Sequence, residues 1–298
     1  MVRPMQPLSL RRVLIHGPGR AGTALALRLV EAGHPAPVFS GGSRKSRQSA
    51  IALVGGATDG GNEAEAPGEL DLLILAVPDG KVADEVARLA KLAVPSQGQG
   101  RIAHLAGVFG RSVMLPLHDL GYDTAAFHPL CSIPDRRASD LIEGAVIGLD
   151  VNAAQSHFWD ALALSIGGIP VHVPEHARKA YHLAASIMGN AVQALADLSY
   201  RALEPVGLDS KEIRSGLLHL MTTALTNSLQ HDPHAVLTGP VARGDFATLR
   251  SHLCALDAEE DRKFYKDLVA AQVRLLRRRV LPPEFLWEFD ERWSEETD

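Results

Sequence analysis

Four polar residues recur at helical spacing late in the chain: Lys179, His182, Ser186 and Asn190. At roughly 100° per residue they fall within about 80° of one another, so they share one helix stripe while Leu183, Ile187 and Ala191 face elsewhere. A solvated face favours Glu and Lys, whereas Ser, Asn and His are short groups suited to enclosed hydrogen bonding. Such a stripe can move a proton and hold a substrate oxygen. A free imidazole titrates near neutral pH, which makes His182 the first candidate for a general acid or base. Lys179 is the second, and needs desolvation to release a proton near neutrality. Asn190 suits orientation of a substrate oxygen and Ser186 suits the lining of its cavity. The wet side of an ordinary helix would show the same spacing.

His128, just before Pro129, leaves an apolar run where it could line a cleft, although a structural histidine fits there equally well. A second polar line, His219, Thr222, Thr223, Thr226 and Asn227, follows helical spacing after Ser210. Threonine is a modest helix former, so propensity does not account for this line, and Asn227 joins the candidates for substrate contact. The run Leu237-Thr238-Gly239-Pro240-Val241-Ala242-Arg243-Gly244-Asp245 marks a turn, with Asp245 placed to cap a helix from Phe246. Arg243 suits a substrate carboxylate or a cofactor phosphate, or else a structural salt bridge.

The elements that must position these groups begin near the N-terminus. Val13 to Ile15 read as a buried strand, and after Gly22 Leu25, Leu29 and Val30 repeat at helical spacing. Between them Gly17-Pro18-Gly19-Arg20-Ala21-Gly22 fits G-x-G-x-x-G in its strand–turn–helix setting. Gly17 permits the tight turn, Gly19 lets backbone approach a pyrophosphate, and Gly22 lets the helix pack on the strand. The pyrophosphate is expected on free N–H groups at the helix start, beside Pro18, Arg20 and Ala21. A glycine-rich structural turn is the alternative. In NAD sites an acid near the end of the second strand holds the ribose 2′-hydroxyl. Here that strand, Ala36 to Ser40, ends on Ser40 and continues Gly41-Gly42-Ser43-Arg44-Lys45-Ser46-Arg47, with cations and no carboxylate. Ser40, Ser43, Arg44 and Lys45 therefore point to a 2′-phosphate and to NADP(H) as cofactor, against the alternative of a solvated basic turn.

A short helix over Ser49 to Gly55 and a polar loop from Thr58 to Gly68 lead to a continuous apolar strand, Asp71 to Asp79. Such a strand is buried on both faces of a parallel sheet. Val77 and Pro78 would close it at the carboxyl edge, where ligands bind, and Asp79 reads as the cap of a helix running to Ala93. Ile102 to Gly107 reads as the next strand with its exit turn, and further strands are expected at Tyr122 to Phe127, Ala145 to Leu149 and Ile169 to Val173, with a helix over Ala153 to Ile166. From Pro174 the period is helical, with breaks at Pro205-Val206-Gly207, Asp232-Pro233 and Gly239-Pro240. The expected class is α/β: an N-terminal doubly wound Rossmann domain over residues 1–174, then an all-helical C-terminal domain over 175–298. Arg277-Arg278-Arg279 reads as a helix C-terminus, and Trp287 and Trp293 as a docking tail after Pro282-Pro283.

The totals narrow the function classes. No apolar run in the 298 residues is long enough to span a bilayer, and Met1 to Pro7 lack the core of a signal peptide. A net charge of -5 argues against a nucleic-acid binder. Cys131 and Cys254 cannot build a disulfide framework, so a reducing cytoplasm is expected. The histidines are scattered, no H-E-x-x-H motif occurs, and no metal is expected.

The N-terminal fingerprint, the Asp71–Asp79 strand, His128-Pro129-Leu130, Tyr181-His182, Asn190 and the Leu237–Asp245 run together resemble the Rossmann-like/DUF2520 family. That family belongs to the 6-phosphogluconate-dehydrogenase-like superfamily, alongside β-hydroxyacid dehydrogenases and pyrroline-5-carboxylate reductase. The resemblance implies an NADP-binding domain followed by a helical dimerisation domain, hence a homodimer acting on a small molecule. Two departures stand out. Lys179 and Asn190 do not form the Lys-x-x-x-Asn of β-hydroxyacid dehydrogenases, whose fourth position here is Leu183, and His104-Leu105-Ala106-Gly107 carries alanine where serine is common. The expected activity is hydride transfer between NADP(H) and a small carbonyl, alcohol or imine. The rival is a non-catalytic NADP-binding regulatory or scaffold dimer.

Overall fold

The computed structural model describes residues 8, 10–63, 72–93 and 100–278. The first elements are β1 (Val13–His16), α1 (Arg20–Glu31), β2 (Val38–Ser40), α2 (Arg44–Leu53), β3 (Thr58–Asp59), β4 (Leu72–Leu75) and α3 (Val82–Leu92). There follow β5 (Arg101–His104), α4 (Leu115–His118), β6 (Asp123–Pro129), β7 (Val146–Val151), α5 (Ser156–Ser165) and β8 (Ile169–His172). The remainder is helical: α6 (Arg178–Ser186), α7 (Val192–Leu203), α8 (Lys211–Gln230), α9 (Pro233–Val236), α10 (Pro240–Arg243), α11 (Phe246–Cys254) and α12 (Glu259–Leu276).

β1 and β4 are apolar and buried at every position save the polar His16, itself buried. Strand alternation sends their side chains to opposite faces. Val13 and Ile15 join Leu25, Leu29 and Trp159 on one side, while Leu14 joins Leu73, Val86 and Met114 on the other. Two cores on two faces are what a sheet covered by helices on both sides requires. The order is β3-β2-β1-β4-β5-β6-β7-β8. All neighbours from β3 to β6 run parallel, β6 and β7 pair antiparallel, and β7 and β8 pair parallel. The chain leaves β1 toward β2 and β3, then returns to β4 on its other side. That reversal opens a crevice at the carboxyl ends of β1 and β4, and the carboxyl ends of β5 and β6 lie on the same edge.

Two compact units divide the chain, residues 1–191 and 192–298. The first extends beyond the expected boundary at 174/175, so α6 packs with the sheet. In the second, Val241, Phe246, Leu249, Val269, Val273 and Leu276 form a core from α10, α11 and α12. α8 buries no residue and leaves Leu218, Leu220, Leu225 and Leu229 exposed. Among the described residues no helix is long and apolar enough to cross a membrane.

Several local expectations need correction. The second helix starts at Arg44, not Ser49, because the Ser43 hydroxyl accepts from the Ser46 N–H and caps it. Thr58 and Asp59, expected in a loop, pair with Val38 and Phe39 as an exposed edge strand that shows no apolar alternation. β4 ends at Leu75, leaving Val77 and Pro78 beyond it. Asp79 opens a 3-10 turn, Asp79–Lys81, and does not cap α3. Met1 to Pro7, Gly68, Asp71, Arg279, Pro282-Pro283, Trp287 and Trp293 lie outside the described residues.

The glycine turn yields a stability test. Gly17 sits at φ +114, and a Cβ there would run into the Ala76 carbonyl; Gly19 sits at φ -78 with nothing within 4 Å of its own Cβ position. Gly17→Ala is expected to cost about 2–4 kcal/mol in urea unfolding, and Gly19→Ala less than ~0.5 kcal/mol. Equal stability of the two variants would contradict this packing.

Candidate functional site

β1 delivers the chain into Gly17, and α1 begins at Arg20 with Gly19 before it. No side chain caps this helix and its first turn carries no acid, so its leading N–H groups remain available to an anion. Gly19 and Arg20 are exposed, Pro18 and Gly22 buried, Ala21 and Val77 half-buried, and Pro78 exposed. A Cβ on Gly22 would meet the Gly17 carbonyl and the Ala76 methyl, so helix and strand need a glycine there.

At the end of β2, Ser40 is fully buried, and its hydroxyl lies 2.9 Å from His16 Nδ1. The ring of His16 also meets Glu85 Oε1 at 2.8 Å. Burial pushes His16 below its ordinary value, with Glu85 opposing. Ser43 caps α2 with its hydroxyl, and Arg44 and Lys45 are exposed with no ion pair among the described residues. Arg47 differs from them. It is buried, bonded to Asp59 at 2.6 Å and Asn62 at 2.8 Å, and donates to the carbonyls of Gly41 and Gly42. Arg47 thus fixes the turn that presents the other two cations.

A pocket of about 480 Å³ in the first unit is lined by His128, Cys131, Tyr181, His182, Ser186 and Asn190, among others. β6 supplies His128 and α6 supplies Tyr181, His182 and Ser186. His128 Nδ1 lies 3.1 Å from the Tyr181 hydroxyl, their rings near perpendicular at 83°. The His182 ring stands edge-on to His128 at 5.8 Å between centroids. Both imidazoles press on Gly107, where any Cβ would strike His182 Nδ1 and His128 Nε2. The buried Nδ1 of His182 has no hydrogen-bond partner among the described residues. A π-helical turn over Ile187–Ala191 adds one residue per turn after Ser186, and Ser186 and Asn190 both stay on the pocket. Lys179 is exposed and lies outside the lining.

Beneath the pocket Arg178 is completely buried. It donates to the carbonyls of Phe109 at 2.9 Å, Gly148 at 3.1 Å and Ala106 at 3.2 Å. Its guanidinium lies 5.6 Å from the Tyr181 ring centre. Burial, reinforced by the Arg178 charge, pushes His128 down to about 4. Burial likewise pushes His104 down to about 4, opposed by its bond to the Gly110 carbonyl. Burial raises Tyr181, with Arg178 opposing. Nearby, Asp150 accepts from the Arg111 N–H, and Glu175 from the Ser112 N–H and hydroxyl. Burial raises Asp150; it also pushes Glu175 up, but the Ser112 bonds outweigh it and leave Glu175 lowered.

The remaining expected residues belong to the second unit. Asn227 is exposed on α8, and the hydroxyls of Thr222, Thr223 and Thr226 return to helix carbonyls at 2.9 Å, so that line is satisfied internally. Arg243 ends α10, exposed. Asp245 caps α11 by accepting from both the N–H and the hydroxyl of Thr248. Among the described residues no three His, Cys, Asp or Glu side chains converge on a metal-sized site. Tyr181, Arg178 and His16 carried little signal. Tyr181 lies off the polar stripe and reaches the pocket through its length, while Arg178 and His16 are buried polar groups with no distinguishing spacing.

Residues 4–129 match the family model of the Rossmann-like domain, and residues 145–272 match DUF2520, a domain of unknown function. No curated protein matches the chain. Among solved structures, a candidate NADP oxidoreductase from Bacteroides fragilis aligns with TM-score 0.74 and 18% identity, over 89% of this chain and 98% of that one. The reductive aminase of Aspergillus terreus, in complex with NADPH and ethyl-5-oxohexanoate, aligns at 0.63 and 18%, over 91% and 96%. An imine reductase from Myxococcus stipitatus, in complex with NADP+, aligns at 0.59 and 18%, over 88% and 91%. At these identities the likeness is one of fold.

The neutral buried histidines set a pH dependence. His104 and His128 titrate near 4 when folded and ordinarily near 6.5, so on acidification the unfolded chain binds protons first. Their contribution to stability is full above about pH 6.5 and is lost as pH falls toward 4. The thermal midpoint of wild type is expected to drop more between pH 7 and 5 than that of His104→Gln. Comparing the two cancels the opposite contributions of buried Asp123 and Asp150, whose values are raised. Parallel curves would remove His104 from this account.

Proposed function

We propose that this chain, a Rossmann-like domain joined to a DUF2520 domain, is an NADP(H)-dependent oxidoreductase acting on a small carbonyl, alcohol or imine. The observation that carries the reading is the placement of the His128–Tyr181–His182 pocket on the sheet edge that also carries the glycine turn. The turn fits a dinucleotide: uncapped N–H groups, open space above Gly19, and exposed Arg44 and Lys45 just after Ser40, which stands where an NAD site would place an acid. Solved structures of the same fold hold NADPH or NADP+, which supports that choice.

When bound, NADP(H) supplies hydride chemistry, and this chain's residues hold the substrate and move the proton. Tyr181 is the proposed proton donor. Burial keeps His128 neutral, and in its Nδ1–H tautomer it donates to the phenolic oxygen, leaving the Tyr181 O–H free to point at a substrate oxygen or nitrogen. The same bond, with the Arg178 charge below the ring, stabilises the phenolate left after transfer. His182 packs against His128 and shapes the cavity wall, and Ser186 and Asn190 orient the substrate. Lys179, turned outward, takes no part. The exposed leucines of α8 support a homodimer through the helical domain. A stable monomer in sedimentation at micromolar concentration would oppose that assembly.

Turnover of NADPH with a panel of small ketones, with and without amine, tests the reading. Tyr181→Phe is expected to keep NADPH binding and to lower turnover by ~10²–10⁴-fold, with a smaller loss in His182→Gln. Replacing Arg44 and Lys45 together by Ala should weaken NADPH at least about tenfold more than NADH. Wild type that binds NADPH and turns over nothing on the panel would point to a binding module.

A further inference from the structure

The segment between β6 and β7 folds back over the cofactor edge. Arg136 donates from Nε to the Pro18 carbonyl at 3.2 Å and from Nη2 to the Ser46 hydroxyl at 2.7 Å. In return Arg20 reaches the Pro134 carbonyl at 3.4 Å. Ser46 also donates to the Pro18 carbonyl, at 3.2 Å, so three chain segments meet at one point. That point joins the glycine turn, whose Pro18 lies between the first two glycines, to the first turn of α2 with its Ser43 cap, Arg44 and Lys45. Arg136 is half-buried and makes no ion pair among the described residues. A guanidinium has five N–H donors, and two of Arg136's nitrogens are engaged here by neutral oxygens, with Nη1 unassigned. A guanidinium held between two anion-directed turns, with no carboxylate paired to it among the described residues, matches a phosphate in charge and in donor geometry.

We propose that Arg136 is a further cofactor-binding residue, a third cation that contacts the 2′-phosphate of NADP(H) together with Arg44 and Lys45. The inference rests on the NADP(H) reading above. Arg136 comes from a segment remote from the nucleotide-binding turns in sequence, so it also holds the two turns together before the cofactor arrives. The bland alternative is a staple: its two bonds would then serve the turns alone, and its loss would weaken every adenine nucleotide alike.

Calorimetric titration of the full chain with 2′,5′-ADP and with 5′-ADP separates these. Arg136→Gln is expected to weaken 2′,5′-ADP about tenfold and to leave 5′-ADP within about threefold. Arg136→Lys, which keeps the charge and loses the fork, should fall between wild type and Gln for 2′,5′-ADP. Thermal midpoints on the same samples report folding, and the Lys variant carries the comparison if the Gln variant is destabilised. Equal weakening of the two nucleotides, or none of either, overturns the proposal while leaving the cofactor reading intact if wild type prefers 2′,5′-ADP. Wild type showing no such preference defeats the cofactor reading itself, and this proposal with it.

Discussion

A guanidinium with no contact ion pair among the described residues, sunk to zero exposure, is the constraint on which the pocket depends. Removing a guanidinium from water costs several kcal/mol, and Arg178 recovers this through three backbone carbonyls and no contact ion pair among the described residues. Those carbonyls belong to the exit of β5 and to β7, while Arg178 itself begins α6. One side chain therefore fixes the distance between sheet and helix at the level of Tyr181. Gly107, held between two of the carbonyls, can then lie flat against both imidazoles. Asp150 and Glu175 extend the arrangement by fixing Arg111 and Ser112 on the next turn.

The cofactor edge follows a similar logic with different parts. Its exposed groups are few and its support is buried. Arg47 ties Asp59 and Asn62 to the backbone of Gly41 and Gly42, and the His16 ring fills the space that a side chain on Gly41 would need. Ser40, whose position suggested a contact with the 2′-phosphate, has its hydroxyl in this support through His16.

Much of the first unit was legible because its signals are local. β1 and β4 announce themselves as apolar runs and the glycine spacing follows from backbone clearance against Ala76; in the second unit the cap at Asp245 is as local, bonding Thr248 three positions away. What was hidden depends on contacts across many residues. β3 is two exposed residues stabilised only by pairing, and nothing in its sequence distinguishes it from a loop. Of the polar stripe, His182, Ser186 and Asn190 line the pocket and Lys179 does not, because periodicity gives an angle around the helix and says nothing of which turn meets the sheet. Periodicity passes over Tyr181, which enters only through the family resemblance, for the converse reason: its angle lies off the stripe, yet its reach brings the hydroxyl to His128. Arg47 and Arg136 show that a cation's sequence position does not reveal whether its charge is spent.

The separation between buried support and exposed cations at the end of β2 bears on how such a protein changes over evolutionary time. Substitutions at exposed positions such as Arg44 and Lys45 ordinarily shift stability by less than about 0.5 kcal/mol, while Arg47, His16 and Ser40 are locked into the interior. If Arg44 and Lys45 hold the 2′-phosphate as proposed, coenzyme preference is open to drift or selection through a few surface codons, with the scaffold beneath held constant. Descendants of one ancestral chain could in this way diverge in coenzyme use while their folds stayed superimposable.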